Sequence, residues 1–421
     1  MKKNTQRLKH LTQLAEKMAD SRWSSRLIEA YQEDTYFLTN DIIKREIESP
    51  KRILKSYSQE NPYFKQFFQE KYNRTPLGEV AVVLPKNGLG LVLVKAIVSS
   101  YLAGNDTKVR IPRDLTHTWS VYKELLENSL ENLSVVEQST SSKGFLQKSF
   151  DDPKIKAVVV YGDDGWIQMY KPLVKKTGTM FMFEGPGNDP LVVNQDANID
   201  SAVDAAINCG MTNGGQSCSA LERFFIHSSL HDKFVETLVS CLKDMKTGSH
   251  LDKQTQVGPI KSSKVRQRIL DQINSAINQG AELVIGGEEF GVNNPDSLGI
   301  LPTVLTNCNP TMAVVKDETF GPVFPIIKFN NEEDLLSKVG QCEYGLNASA
   351  FGTCSPAVHD YLKKNHRNFY IDSTSVDASN SYTRFLDGGH LRSGLIWKRV
   401  NGDVVTIRGA RLLYKELSQE I

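Results

Sequence analysis

Short apolar runs alternate with helix-length segments in the part of the chain between residues 80 and 176. The runs predicted as strands are 80–84, 108–111, 133–136 and 157–161, and the segments predicted as helices are 91–103, 118–126 and 166–176. Alternation of this kind is typical of a doubly wound α/β unit with a parallel sheet. In such a unit the ligand lies beyond the carboxyl ends of the strands.

A second strand–helix series begins after an apolar strand at 180–183 and predicts a second α/β unit. Its predicted elements are 191–194, 199–210, 223–227, 233–246, 265–279, 283–285, 323–329, 348–351 and 369–371. Before the first unit, residues 3–55 are predicted to be helical. After the second unit, the tail has strand character around 404–408. We place that strand outside both units and expect it to pair with another domain or subunit.

The composition is that of an ordinary globular protein, with 40% hydrophobic and 24% charged residues in 421. A net charge of +1 gives no reason to expect nucleic acid or an anionic membrane as a partner. No apolar run reaches the ~18 residues of a membrane span, and the basic N-terminus lacks the apolar core of a signal peptide. The six cysteines include no C-x-x-C pair, so we expect reduced thiols in a cytoplasmic protein and no metal site.

Three segments place one reactive side chain just after a regular element, where α/β proteins position their chemistry. They are Pro85-Lys86-Asn87, Glu184 in MFMFEGPGNDP, and Cys218 in MTNGGQSCSA. Each has a plain alternative, because a buried cysteine is most often an inert small hydrophobe. A carboxylate after a strand commonly caps a helix, and Asn-Gly commonly forms a turn. Taken one at a time, the three segments leave both interpretations open.

Together and in this order, the segments resemble the motifs of the aldehyde dehydrogenase superfamily. The Asn-x-Gly-Gln-x-Cys motif of that family matches residues 213–218, and its Glu-x-Phe-Gly-Pro-Val motif is intact at 318–323. The family's Pro-aromatic-Asn motif corresponds to residues 85–87, with lysine in place of the aromatic residue. Its Glu-x-Gly-Gly-Lys-x-Pro motif corresponds to 184–190. The resemblance extends from about Arg7 to the C-terminus.

The resemblance implies a doubly wound, Rossmann-like cofactor domain, a second α/β catalytic domain and a small oligomerisation arm. We therefore expect N-terminal helices and a dinucleotide-binding domain in residues 1–186, with an arm at 61–76. The catalytic domain that carries the cysteine is expected in 187–394, and an oligomerisation strand in the tail at 395–421. An exposed tail strand favours pairing with a second copy, so we expect a homodimer.

The resemblance also implies oxidation of a small aldehyde to a carboxylic acid, with NAD or NADP as cofactor. Cys218 is the implied nucleophile, and the Cys218 amide and the Asn87 side chain are the implied donors to the oxyanion. Glu184 is the implied base that activates water to hydrolyse the thioester. The residues implied to contact the cofactor are Pro85, Arg110, Arg113, Gly162, Asp163, Gly185, Glu318 and Phe320. Family members that pass the acyl group to coenzyme A commonly lack the glutamate, so Glu184 favours release of a free acid.

Some positions depart from the family pattern. The usual Thr-Gly-Ser phosphate loop corresponds to Tyr161-Gly162-Asp163-Asp164, where two acids would repel a pyrophosphate unless Asp163 occupies the anion site as a cap. Asp387 replaces an aromatic residue of the substrate pocket; it indicates a polar or cationic aldehyde or, alternatively, an aspartate that faces solvent. Two alternatives to the main reading stay open. One is an acyl-thioester (acyl-CoA) reductase, and the other is a catalytically impaired, family-derived binding or scaffold protein.

One departure bears on which dinucleotide fits. Alignment with the family puts Arg110 at the position of a lysine that contacts the adenosine ribose, and Arg113 at the position of a glutamate that bonds its hydroxyls. A glutamate repels a 2′-phosphate, whereas arginine offers it a planar fork of donors. The sequence therefore predicts that NADP binds at least as well as NAD, unless Arg113 simply points to solvent.

Overall fold

The computed structural model describes residues 2–56, 74–127, 129–130, 133–135, 141–291, 298–377 and 386–420. In chain order its helices are α1 (Lys2–Ala19), α2 (Ser21–Asp34), α3 (Asn40–Ser56), α4 (Leu89–Ala103), α5 (Thr116–Glu127), α6 (Ser142–Asp151), α7 (Lys171–Thr177), α8 (Ile199–Gly210), α9 (His231–Lys243), α10 (Ser263–Asn278), α11 (Ala313–Lys316), α12 (Glu332–Val339), α13 (Pro356–Asn365) and α14 (Leu413–Glu416). A 3₁₀ helix lies at Ile167–Tyr170.

The strands, also in chain order, are β1 (Arg74–Pro76), β2 (Glu79–Val83), β3 (Asp106–Arg110), β4 (Leu133–Val135), β5 (Ile155–Tyr161), β6 (Met180–Glu184), β7 (Asp189–Val193), β8 (Leu221–His227), β9 (Glu282–Ile285), β10 (Glu289–Phe290), β11 (Gly299–Ile300), β12 (Thr303–Thr306), β13 (Val323–Phe329), β14 (Tyr344–Gly345), β15 (Asn347–Phe351), β16 (Asn368–Ile371), β17 (Leu386–Leu391), β18 (Gly394–Val400), β19 (Asp403–Ile407), β20 (Gly409–Leu412) and β21 (Ser418–Glu420).

The first sheet contains seven strands in the order β19-β18-β6-β5-β2-β3-β4. Strands β4, β3, β2, β5 and β6 are parallel to one another, as predicted for a doubly wound unit. The middle strands are apolar on both faces because helices and further strands cover both sides, and Val80, Val82 and Val158 have no exposed surface. The carboxyl ends of β5, β2 and β3 therefore lie side by side at one edge of this sheet.

The second sheet also contains seven strands, in the order β16-β15-β7-β8-β13-β12-β9. All of its neighbouring strands are parallel except β9, which pairs antiparallel with β12. The chain leaves the first sheet at Glu184 and enters the second at Asp189. Residues 184–188 are thus the hinge between the two sheets, with Glu184 as its first residue.

The tail strand does not lie outside the two units, and that prediction was wrong. Strand β18 pairs antiparallel with β6, and β19 pairs antiparallel with β18, so the tail hairpin extends the first sheet. The physical reason is that β6 ends the parallel series and leaves an unpaired edge, which the returning chain covers. The last strand, β21, pairs with β1 in the same chain.

The N-terminal residues form three helices, of which α1 and α3 pack on α4 of the first unit and α2 packs on α5. The predicted apolar stripe of α1 is buried at Leu11, Leu14 and Met18. Helix α4 begins after Gly88, which has no side chain to cap it, and the Oε2 atom of Glu46 in α3 accepts a hydrogen bond of 3.0 Å from the Gly90 amide instead. Burial of this carboxyl raises the pKa of Glu46 to about 7. Helix α3 thereby helps to position the turn that contains Asn87.

Most predicted elements have counterparts, with bounds that differ by a few residues. Helices α6, α12 and α13 and strands β12, β17, β18 and β20 were missed by the sequence interpretation. Most of the arm predicted at 61–76 lies outside the described residues, apart from β1. Of the helices that the structure describes, none combines the length and the apolar character that crossing a bilayer requires.

Candidate active site

The turn that carries Cys218 connects α8 to β8. Asn213, Gly214 and Gly215 all have positive φ angles, and a Cβ at Gly215 would clash with the carbonyl of Gly321. The turn is also fixed by the buried Gln216, whose Nε2 donates to the Pro259 carbonyl at 3.0 Å and whose Oε1 accepts from the Lys261 amide at 2.7 Å. The glycines and the glutamine ahead of the cysteine therefore hold it against two loops of the second unit.

Cys218 lies directly against the connection between the two sheets. A Cβ at Gly187 would overlap the carbonyl oxygen of Cys218, so only glycine allows this approach. Burial, together with the carboxylates Glu184 and Glu318, raises the pKa of the Cys218 thiol to about 12, and the cation Arg367 opposes this shift. At neutral pH the resting side chain is therefore a thiol, and its use as a nucleophile requires a base to take the proton.

Glu184 ends β6 with its carboxylate already engaged. Its Oε2 atom lies 3.0 Å from Nη1 of Arg367 and accepts a 2.9 Å hydrogen bond from the Gly388 amide. Burial by itself raises the pKa of Glu184, but the cations Arg367 and Lys95 outweigh that effect and hold the pKa below its ordinary value. The side chain is thus an ionised carboxylate close to the nucleophile, as a base for a water molecule must be.

Asp387 is buried, not solvent-facing, which corrects one of the two sequence interpretations. Its Oδ1 lies 2.9 Å from Nζ of Lys95 and accepts a 3.2 Å hydrogen bond from the Tyr161 hydroxyl. The residue is only 4% exposed. The charge of Asp387 is therefore balanced by a cation of the chain itself, which also removes the reason to expect a cationic aldehyde. Burial raises the pKa of Asp387 to about 6, against the opposing effect of Lys95.

Glu318 and Phe320 lie in the loop before β13, beside the Cys218 turn. Glu318 accepts a 3.0 Å hydrogen bond from the Gly187 amide, and burial raises its pKa to about 7. The backbone of the loop is held by the buried Glu222 of β8, which accepts 2.8 Å hydrogen bonds from the amides of Thr319 and Phe320. The Lys261 ammonium lies 4.1 Å from the centre of the Phe320 ring. The Glu-x-Phe-Gly-Pro-Val motif is thus hydrogen-bonded, through Glu318, to the hinge that carries Glu184.

The carboxyl ends of β2 and β5 leave room for a cofactor. Gly88 and Gly162 follow these two adjacent strands with positive φ angles, and no heavy atom lies within 4 Å of the position a Cβ would take at either one. Pro85 and Asn87 are half-buried in the turn after β2. Gly185 is buried, and its amide donates to the Ser393 carbonyl at 2.9 Å. Open space at the ends of adjacent parallel strands fits a dinucleotide in this fold.

The two acids of the altered phosphate loop are both engaged. Asp163 accepts a 2.8 Å hydrogen bond from the Gly165 amide, and Asp164 forms 2.7 Å and 3.1 Å hydrogen bonds with the guanidinium of Arg392. Asp163 therefore closes a turn before the 3₁₀ helix and does not cap a helix start. Because Arg392 neutralises Asp164, the repulsion that the loop exerts on a pyrophosphate is smaller than the sequence indicated.

Basic side chains surround the neighbouring strand ends. Arg110 is buried at the end of β3, and burial together with the charge of Arg113 lowers its pKa. Arg113 is exposed in the loop that follows. Lys86, in the family's aromatic position, forms a 2.8 Å ion pair with Asp114 and lies 5.6 Å from the centre of the Phe37 ring. The end of β3 is thus positively charged where the alignment expects the adenosine ribose.

Lys95 and Arg367 are the site residues that sequence interpretation missed. Lys95 is the only charged residue of the apolar helix α4, which is a signal that could have marked it. Arg367 directly precedes β16, and nothing in its local sequence indicates that it reaches Glu184. The sequence pattern gave neither cation a role, because their partners, Asp387 and Glu184, lie far away in the chain.

Comparison with known proteins gives concordant results. The model of the aldehyde dehydrogenase family matches residues 5–394. A betaine aldehyde dehydrogenase of Mesorhizobium japonicum is 34% identical over 174 residues, which cover 41% of this chain and 36% of the relative. A sulfoacetaldehyde dehydrogenase of Neptuniibacter caesariensis is 27% identical over 282 residues, which cover 66% of this chain and 59% of the relative. The chain thus spans less than two thirds of the length of either relative.

Solved structures support the same fold. An NAD-dependent aldehyde dehydrogenase from Sinorhizobium meliloti superposes with a TM-score of 0.84 at 20% identity, covering 99% of this chain and 81% of that one. The Mycobacterium tuberculosis aldehyde dehydrogenase complexed with NAD+ gives a TM-score of 0.83 at 20% identity, covering 99% and 84%. The predicted α/β fold with two sheet-based units is confirmed.

Proposed function

The chain belongs to the aldehyde dehydrogenase family, and we propose that it oxidises a small aldehyde to a carboxylic acid with NAD or NADP as cofactor. The observation that carries this proposal is the contact of the hinge at Gly187 with the Cys218 turn. This contact brings a thiol, the ionised Glu184 and the loop that contains Glu318 into one buried site. A nucleophile, a base and a place for a hydride acceptor are the three parts that the reaction needs.

In the first step the sulfur of Cys218 attacks the aldehyde carbon, and the carbonyl oxygen becomes an oxyanion. Because the thiol pKa is about 12, its proton passes to solvent water as the C–S bond forms, which leaves Glu184 ionised for the later hydrolysis. The amides of Cys218 and of the Asn87 side chain are the proposed donors to the oxyanion. Loss of one such donor typically costs about 2.7–4 kcal/mol of barrier.

The open space at the ends of β2 and β5 supports cofactor binding there, and the cofactor residues are those that the family resemblance implies. Glu318 and Phe320 would hold the nicotinamide end, next to Cys218. Pro85, Gly162, Asp163 and Gly185 would line the phosphates, and Arg110 and Arg113 the adenosine ribose. When bound, the nicotinamide supplies the acceptor for the hydride that the thiohemiacetal loses.

Glu184 completes the reaction by removing a proton from the water that attacks the thioester. The C–S bond then breaks, the carboxylic acid leaves, and the Cys218 thiol is restored. The retained glutamate favours this outcome over acyl-thioester reduction. In that reaction the acyl group on the cysteine exchanges with the thiol of coenzyme A, and no water needs to be activated. The two adjacent acids of the phosphate loop, Asp163 and Asp164, remain the feature in favour of a binding or scaffold protein.

One experiment separates these readings. Purified protein is mixed with an aldehyde panel and either NAD+ or NADP+ in ¹⁸O-labelled water, and the product is analysed by mass spectrometry. We expect reduced cofactor and a carboxylic acid that carries the label from water. Aldehyde formation from an acyl-CoA and reduced cofactor would instead identify the reductase. Absence of cofactor binding by calorimetry would identify the scaffold protein.

NADP is expected to bind at least as well as NAD, because Arg113 replaces an acid near the adenosine ribose. The Arg113→Glu variant should weaken NADP+ binding at least tenfold, or about 1.4 kcal/mol, and leave NAD+ binding unchanged. Calorimetric titration with each cofactor measures both effects, and Lys253→Glu, at an exposed site, controls for charge reversal alone. A tenfold or greater preference of the unaltered protein for NAD+ would contradict the assignment of Arg113.

A homodimer is the proposed assembly. Strand β19 is an edge of the first sheet, and the hairpin that it forms exposes Val400 and Val405. We expect a mass of twice 47.1 kDa by light scattering at micromolar concentration, and a shift toward monomer for Val405→Lys. A monomer in the unaltered protein would refute the proposal.

A cytoplasmic location is proposed as well, because all six cysteines are free thiols.

A further inference from the structure

We propose that Arg367 is a positioning residue that holds Glu184 as a carboxylate beside Cys218, so that release of the acid depends on the Arg367–Glu184 ion pair. This inference rests on the proposed function, in which Glu184 activates the water. It assigns a role to a residue outside every motif that the sequence resemblance supplied.

The geometry of Glu184 is determined by two contacts on one oxygen. Nη1 of Arg367 lies 3.0 Å from Oε2 of Glu184, and the Gly388 amide donates to the same oxygen at 2.9 Å. The side chains of Arg367 and Glu184 are only 10% and 13% exposed. Little water can screen this ion pair, and it constrains the direction of the carboxylate more than a surface pair would.

Arg367 is itself held by the second sheet. Its backbone amide donates to the Gly345 carbonyl at 3.2 Å, and its Nη2 donates to Oδ1 of Asn347 at 3.4 Å. The amide and Nδ2 of Asn347 donate in turn to the Asp189 carboxyl at 2.9 Å and 2.7 Å. Glu184 ends a strand of the first sheet, so the ion pair joins the two sheets at the point where the nucleophile lies.

The surrounding charges explain why the pair matters for a base. The groups that act on Glu184 are Arg367, Lys95 of α4 and Asp387 of β17, while Tyr161 of β5 and the Cys218 thiol also lie within its field. Lys95 is in direct contact with Asp387, at 2.9 Å. Without Arg367, two neighbouring acids would have one cation between them, and that cation contacts Asp387. Arg367 is the cation that lowers the pKa of Glu184 most, so without it the burial of this carboxyl raises its pKa.

The proposal predicts a specific effect of Arg367→Met. Loss of the cation raises the pKa of Glu184, so the base is lost as pH falls through that higher value and the acid limb of turnover moves to higher pH. We expect a shift of about 2.5 pH units or more, within the range of buried carboxyls, and therefore a fall in steady-state turnover of about tenfold or more at pH 6. The pre-steady-state burst of reduced cofactor and the KM for aldehyde should change little. Arg367→Lys should restore most of the turnover.

Two further variants make the test specific. In a Glu184→Gln background, Arg367→Met should cause no further loss of turnover, because the base on which it acts is already absent. Arg223→Met removes a fully buried arginine that donates to the carbonyls of Asn188 and Val339. This control should lower thermal stability without moving the acid limb. An unmoved acid limb in folded Arg367→Met would overturn the proposal, as would loss of the burst with a raised KM, which would assign Arg367 to substrate binding.

Infrared difference spectroscopy tests the same point without any turnover. At pH 6 the unaltered protein should show a carboxylate band that disappears in Glu184→Gln. Arg367→Met should show a protonated carboxyl band in its place, absent from the double variant Arg367→Met/Glu184→Gln. If the spectra change as expected but no aldehyde is oxidised, the proposed function fails and the role of Arg367 stands. An unchanged carboxylate band in Arg367→Met would refute that role.

Discussion

Replacing Cys218 with alanine is expected to abolish aldehyde oxidation, with a loss of turnover on the order of 10⁴-fold or more, as is typical when a catalytic nucleophile is removed. Cys218 is the cysteine whose turn is packed against the hinge that carries Glu184. The substitution removes only a half-buried sulfur, so the fold should persist. Steady-state kinetics and thermal unfolding of the same preparation measure both effects.

Cys209→Ala is the matched control for this variant. Cys209 is more deeply buried, and its Sγ lies 3.4 Å from the Ser219 carbonyl oxygen, close to the same turn. It should lose some stability through the cavity it leaves but retain turnover. Full activity in Cys218→Ala would show that another group is the nucleophile.

Alkylation of Cys218 gives a second, independent measurement. Because its pKa is raised to about 12, the thiolate fraction should increase about tenfold for each pH unit through the neutral range. The rate of labelling by iodoacetamide in the protein without cofactor should follow that increase, as measured by peptide mass spectrometry. A rate that is already constant near pH 7 would mean that the resting residue is a thiolate.

Replacing Glu184 with glutamine is expected to stall the enzyme after its first turnover. Glutamine keeps the shape of the side chain but cannot accept a proton from water, so the thioester should accumulate. Steady-state turnover should fall about 10²- to 10⁴-fold, the usual contribution of a general base. Stopped-flow measurement should still record a burst of reduced cofactor that approaches one equivalent per active site.

The outcome of this variant also distinguishes two roles for Glu184. A normal steady-state rate would exclude it as the base for hydrolysis. Loss of the burst itself would show that Glu184 is needed earlier, to take the proton from the Cys218 thiol. Mass spectrometry of the quenched Glu184→Gln protein should detect an acyl adduct on Cys218 if Glu184 acts only in hydrolysis. If Glu184 is needed to take the proton from the thiol, no thioester forms and no adduct should be found.

The sequence by itself determined the α/β class and the approximate bounds of most elements, and its motifs supplied the candidate site residues. Alternating apolar runs are a local signal, and helix 199–210 and strand 323–329 agree with the structure to the residue. The motifs around Cys218 and Glu318 are also local, since each owes its form to a turn within a few residues. Helices α12 and α13 were missed because both are short and each buries only two residues.

Only the tertiary structure decided which charges meet. Asp387 and Lys95 are 292 residues apart in the chain, and Glu184 and Arg367 are 183 residues apart, yet each couple forms a buried ion pair of 2.9 Å or 3.0 Å. A buried charge needs a partner, but nothing local identifies which one, because the partners come from different elements of the two sheets. The tail hairpin was misplaced for the same reason. Its strand character is local, whereas the free edge of β6 that it covers exists only in the assembled sheet.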